Sequence, residues 1–175
     1  VPWADRGVLE AFSTAGGTST MTYAHEGRVR SLEYKTLRYP GHGVVFRALY
    51  EMGLFDQTPH RFGGVELAPR AVLIDGLTRT LPRDGADVVL VRVWRDQGGQ
   101  RTVVEVEDTA HGAFSALART TAFPATALAS LIAEGTVLRP GVLAMHEAVT
   151  AAELMPELSD VGIVGTRSTR PIAEA

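Results

Sequence analysis

At 175 residues the chain is long enough for one folding unit, which at this size buries about 70% of the surface exposed when unfolded, and the absence of cysteine excludes a disulfide framework or a thiolate metal site. A net charge of -3, with Arg and Glu interspersed, leaves no basic stripe for a phosphate backbone and speaks against a nucleic-acid partner. No apolar run approaches the roughly 18 residues of a membrane span, and the start "VPWADRGVLEAF" lacks a signal peptide's basic, then apolar, pattern, so a soluble cytoplasmic protein without a membrane partner is expected.

The first residue is Val1 rather than methionine, which points to processing or to a piece of a longer polypeptide. "AGGTSTM", residues 15–21, is a Gly-Gly turn followed by three hydroxyl residues. It approaches the G-x-S-x-G nucleophile elbow, but Met21 replaces the closing glycine and nothing assigns a His and an Asp to Ser19. Two milder readings stay open: Gly16 and Gly17 allow a ligand to approach the backbone, and Thr18, Ser19 and Thr20 can cap a helix or bind a polar substrate.

"GRVRSLEYKTLRY" reads as a strand whose apolar residues change parity between Val29 and Leu32, the mark of a bulge or a change of partner. Alternation puts Lys35, Leu37 and Tyr39 on one face and Tyr34, Thr36 and Arg38 on the other, so Lys35 and Arg38 serve different neighbours. The strand runs into "KTLRYPGH", where Lys35, Arg38, Tyr39 and His42 gather around a Pro-Gly turn. So many proton donors suit an anion: a phosphate, a substrate carboxylate or a neighbouring Asp or Glu.

"GVVFRALYEMG" follows as a helix, with Val45, Phe46, Leu49 and Met52 on one stripe and Gly53 as its stop. Gly41-x-Gly43 before it resembles half of a dinucleotide fingerprint, but Phe46 stands at the third glycine, Pro40 distorts the turn, and no second parallel strand ending in an acid follows. "APRAVLIDGLTRTLP" is a second helix, with Pro69 in its first turn and Pro82 beyond its end; Gly76 inside it weakens it by about 1 kcal/mol.

"DVVLVRVWRDQGGQRTVVEVED" carries two alternating β-branched runs around Gln97-Gly98-Gly99-Gln100, an antiparallel hairpin with a four-residue loop. Pairing Asp96 with Arg101 sets Val93 opposite Val104 and Val91 opposite Val106 on the core side, and Arg92 opposite Glu105 and Trp94 opposite Val103 on the wetter side. "PATALASLIAEG" is a third helix with Pro124 near its start, Leu128, Leu131 and Ile132 inward and Gly135 after its end. Arg119, Thr120 and Thr121 then stand at its mouth, where free amides favour an anion. Thr150 and Glu153 form a capping box that starts a last helix, with which Pro156 conflicts. The five histidines, at 25, 42, 60, 111 and 146, have no metal-ligand spacing, and no metal is expected. The one clear strand pair is antiparallel, so the expected class is α+β: a mixed, mainly antiparallel sheet with helices on one face.

"LEAFSTAGGTSTM", "GRVRSLEYKTLRYPGH", "ALYEMGLFD", "ALARTTAFPA", "EGTVLRPGVLAMHE" and "ELSDVGI", in this order over nearly the whole chain, resemble the C-terminal domain of the saccharopine dehydrogenase family. Ala122 departs from that pattern, where a glycine is usual, and so does a hairpin shorter on its exit side. The resemblance implies a substrate-binding and dimerisation domain, spanning residues 1–175, of an enzyme whose Rossmann domain, absent from this chain, holds NAD or NADP. Hydride would pass between the nicotinamide and the amine-bearing carbon of an amino acid such as saccharopine or lysine, through an imine. In that setting Arg38 or Arg119, with Thr120, Ser19 and Thr20, would bind the substrate, Lys35, Tyr39 or His42 would exchange its proton, and Gly16, Gly17 and Thr18 would border the cofactor. The chain alone is expected to bind no cofactor and to pair as a homodimer; a module that binds or dimerises without chemistry is the alternative.

Overall fold

The computed structural model describes residues 1–14, 17–82, 86–137 and 140–172. The class is α+β, built from helices and several small antiparallel sheets rather than one continuous sheet. The chain divides into two compact units, Val1–Arg83 and Asp84–Ala175.

Among its described residues the first unit holds three two-stranded sheets. β1 (Pro2–Trp3) pairs with β2 (Gly7–Val8), β3 (Glu10–Phe12) with β4 (Thr36–Arg38), and β5 (His60–Phe62) with β6 (Val65–Leu67). Between β3 and β4 the short helix α1 (Met21–His25) interrupts the chain; α2 (His42–Glu51) and α3 (Pro69–Thr80) complete the unit. Among its described residues, Trp3 and Leu9 are the buried apolar ones. The predicted helices over 43–53 and 68–82 are present, Pro69 in the first turn of α3. The α2 stripe is buried less than its pattern implies, with Val45 and Met52 exposed. The strand predicted over residues 27–39 shrinks to Thr36–Arg38, because a strand lasts only as long as its partner and β3 offers three residues.

The second unit is a three-stranded sheet, β7 (Val88–Gln97), β8 (Gln100–Thr109) and β9 (Gly165–Pro171), with α4 (Ala116–Ala133), α5 (Met145–Ala148) and α6 (Ala151–Asp160). The hairpin has the predicted register: Val91 opposite Val106, Arg92 opposite Glu105, Val93 opposite Val104, Trp94 opposite Val103 and Asp96 opposite Arg101. Pairing continues to Gln97 and Gln100, so the loop has two residues rather than four; Gly98 and Gly99 hold φ of 57° and 73°, as a tight type I′ turn requires. The core lies under the open end of the hairpin, where Ala127, Leu158 and Ile163 are buried with Val106, Phe123, Leu154 and Met155 packed on them. The two faces do not sort as predicted: Val91 and Val93, expected on the core side, are exposed, and Val103, expected on the wetter side, is buried.

α4 starts eight residues before Pro124, which therefore sits inside the helix rather than at its start. The missing N–H removes one helical hydrogen bond. The helix continues because both halves are anchored, Ala116 and Arg119 buried upstream and Ala127 and Leu131 downstream, whereas Ile132 faces out. By length and composition α4 could cross a membrane, but Arg119 ties it to a carboxylate on β8 and it packs on α6 and the sheet. α6 begins with the predicted box: Glu153 N–H donates to Thr150 Oγ1 and Thr150 N–H to Glu153 Oε2, at 3.3 and 2.8 Å. It runs through Pro156 to Asp160, with Leu158 buried beyond the proline.

Candidate functional site

Because β3 and β4 pair antiparallel, the glycine turn that follows β3 and the coil that precedes β4 meet at the same end of the ribbon. Thr14 and Thr36 hydroxyls lie 2.6 Å apart there. The result is a shallow cleft, wide open to solvent, of about 480 Å³, lined by Ser13, Leu32, Glu33, Tyr34 and Lys35. Lys35 Nζ sits 3.0 Å from Glu33 Oε2, both side chains largely exposed. An exposed pair of this kind holds by about 1 kcal/mol or less, so a ligand bearing both charges can open it. One rim is therefore zwitterionic with a hydroxyl beside it, and Leu32 and Tyr34 supply apolar surface. Such a lining offers one positive and one negative group side by side, with apolar surface next to them.

The turn beside the cleft carries two oddities. Gly17 is not held in the left-handed region, yet a Cβ there would overlap the ring of Tyr34. Ser19 has φ of 46°, uncommon for a residue with a side chain. Thr18 is half-buried, and Ser19 and Thr20 are exposed. Thr20 precedes α1, and its side chain makes no capping hydrogen bond. Gly16 lies outside the described residues.

The other half of the predicted cluster looks elsewhere. Gly41 and Gly43 N–H donate to the two carboxylate oxygens of Glu10, at 2.6 and 3.0 Å. These hydrogen bonds, Gly41 first, hold the Glu10 carboxyl below its ordinary 4.5, with His42 adding a smaller electrostatic pull. The anion at the mouth of α2 is thus a neighbouring glutamate, the third of the three possibilities the sequence leaves open. His42 is half-buried in a stack between Phe12 and Phe46, with ring centroids 5.9 and 4.3 Å away. Tyr39 is exposed, and Arg38 Nη1 donates to the Leu37 carbonyl at 2.8 Å from an exposed position.

Arg119 belongs to the second unit and is 6% exposed. Its Nε and Nη2 donate to Asp108 of β8 at 2.9 and 3.2 Å, Nη2 also donates to the Val161 carbonyl at 3.0 Å, and its guanidinium lies 5.3 Å from the Phe123 ring centroid. Thr120 lies inside α4, not at its mouth, and its hydroxyl donates to the Ala116 carbonyl at 2.8 Å; Thr121 is also interior. The free amides sit earlier, at Ala116 and Leu117, where the Asp87 carboxylate accepts both at 2.6 and 2.9 Å and is held below its ordinary 3.8 by Leu117 first and Ala116 second. The structure therefore brings Lys35, Gly17 and Thr18 to one end of one ribbon and leaves Arg119 and Thr120 in a different unit.

A dinucleotide needs bare amides and bare glycine for its phosphates. Among the described residues both glycine turns are filled from within the chain, Gly17 by the Tyr34 ring and Gly41 and Gly43 by Glu10, so these residues do not fit a nicotinamide dinucleotide. The sequence reading missed Ser13, Leu32, Glu33 and Tyr34 as lining residues and Glu10 as the anion. Their signal is spatial: the β3–β4 register sets Glu10 opposite Arg38 and carries Ser13 to the Lys35 end. The family model described as saccharopine dehydrogenase C-terminal domain matches residues 3–163.

Proposed function

Because this chain belongs to the saccharopine dehydrogenase C-terminal domain family, an oxidoreductase-associated domain, we propose that it is the substrate-binding part of an NAD(P)-dependent oxidoreductase acting on the C–N bond of an amino acid such as saccharopine or lysine. The observation that carries the reading is the cleft in the first unit, where the Lys35 ammonium and Glu33 carboxylate lie 3.0 Å apart beside the Ser13 hydroxyl and apolar Leu32 and Tyr34. In this reading the dinucleotide is held by a separate Rossmann domain, in keeping with glycine turns already filled in this chain. Of the three proton-bearing candidates, Lys35 lines the cleft, where it takes the substrate carboxylate while Glu33 takes the ammonium; Tyr39 is exposed and His42 is stacked between Phe12 and Phe46. Arg119 and Thr120 serve the second unit's framework.

Calorimetric titration of the chain with lysine and with saccharopine tests this. Binding by the wild type that falls at least about tenfold in Lys35→Met and in Glu33→Gln supports the cleft. Equal affinities in all three proteins contradict it.

A second reading, a homodimerising module, draws on the exposed Val91 and Val93, which share one face of the three-stranded sheet. Sedimentation equilibrium checks it: a dimer that Val93→Lys converts to monomer favours it, and a monomeric wild type removes it.

A further inference from the structure

Gly17 stands in the turn beside the cleft, against the ring of Tyr34. Its φ is not left-handed, so the backbone does not demand glycine, and the reason for the missing side chain is space. The space is taken by the Tyr34 ring, whose Cδ1, Cε1 and Cζ all lie where a Cβ would reach. Tyr34 is also a lining residue of the cleft and 44% exposed, so the residue that crowds Gly17 also borders the cleft. Residues 29–35 have no regular secondary structure, and no ladder of backbone hydrogen bonds fixes this ring. Its position rests on what it sits upon.

We propose that Tyr34 is a specificity-determining wall of the amino-acid cleft and that Gly17 is its seat. This rests on the reading of the cleft as an amino-acid site. The charged head is read by Lys35, Glu33 and Ser13, and the length and shape of the aliphatic side chain are read against the Tyr34 ring. An amphipathic ring suits that task, since its face takes methylene groups while its hydroxyl stays wet. Tyr34 then touches the ligand itself, and Gly17 is a positioning residue that acts on the ligand only through the ring.

A double-mutant cycle on the 175-residue chain tests this, with Gly17→Ala, Tyr34→Ala and the two combined, and lysine and norleucine as probes. Each single change is expected to lower affinity for the preferred probe about tenfold and to narrow the ratio between the two, and the combined variant is expected to lose no more than either. Tyr34→Phe, which keeps the ring, stays within about twofold of the wild type. Independent losses that multiply to about a hundredfold in the combined variant, or Tyr34→Ala with wild-type affinity and ratio, overturn the proposal. A ligand-free measurement judges the seat alone: in Gly17→Ala the Tyr34 ring resonances shift and their cross-relaxation with residue 17 is lost, and an unchanged spectrum overturns it. Failure of the wild type to bind any amino acid overturns the cleft reading and the wall with it, even where the ring moves; binding with an unaltered ratio in every variant overturns the wall alone.

Discussion

Arg119→Met removes the cation from a carboxylate that is 6% exposed, and the cost follows from that burial. Asp108 accepts two hydrogen bonds from the guanidinium, which also satisfies the Val161 carbonyl. Stranding one member of such a buried pair typically costs about 3–5 kcal/mol, because the charge left behind has lost its water without gaining a partner. In a unit of this size each kcal/mol moves the melting temperature by about 4–8 °C, so a fall of at least about 12 °C is expected. Replacing both members, Arg119→Met with Asp108→Leu, leaves no orphaned charge and recovers most of the loss. Urea unfolding followed by the fluorescence of Trp94, in a Trp3→Phe background so that only the second unit reports, measures both variants. If Arg119→Met stays within about 0.5 kcal/mol of its parent, or the double variant is no more stable than the single, the guanidinium is not a framework group and its place in substrate binding reopens.

Glu10 accepts the Gly41 and Gly43 amides and is held below 4.5, so its contribution to stability is complete above that value and is lost as pH falls through the lowered pKa. Acid unfolding of Glu10→Gln is therefore expected to be shallower than that of the wild type below about pH 4.5, and identical acid profiles would remove Glu10 as the cap of α2. Asp56 is lowered from 3.8 to about 2, first by His60, whose Nε2 lies 2.9 Å away, and then by the Thr58 amide. An NMR titration of its carboxyl should find a midpoint near 2 that rises toward 3.8 in His60→Leu; an unmoved midpoint refutes the pairing. Gly99→Val forces a β-branched residue to a φ of 73° and should destabilise the hairpin by about 1–2 kcal/mol, whereas Gly98→Asn should be nearly neutral, as chemical denaturation will read.

The hairpin was legible because its information is local: period-two alternation, a Gly-Gly turn and the Arg92–Glu105 and Asp96–Arg101 pairs all select one register. The capping box of α6 and the Pro69 start of α3 are likewise written within a few residues. β9 escaped notice because "GTRSTRP" shows no apolar alternation; it is a strand by virtue of pairing with β8, some sixty residues earlier in the chain. The start of α4 is not legible in the sequence because proline at a helix start and proline inside a doubly anchored helix look alike in one dimension. The candidate site divides in the same way. The cluster around residues 35–42 was visible as chemistry, but what each group does depends on partners brought by pairing: Glu10 across β3–β4, Asp108 across from α4, Tyr34 over Gly17. Charge and hydroxyl residues announce that an anion is wanted; only the fold decides whether the chain already supplies it.

The proposed function requires the β3–β4 end of the first unit to grip a zwitterionic amino acid. Heteronuclear NMR of the chain during titration with lysine tests it most directly. Saturable shifts concentrated at Ser13, Gly17 and residues 32–35, with Arg119 and its neighbours on α4 unmoved, are the predicted result. Shifts that centre on α4, or none in residues 13–35, contradict it.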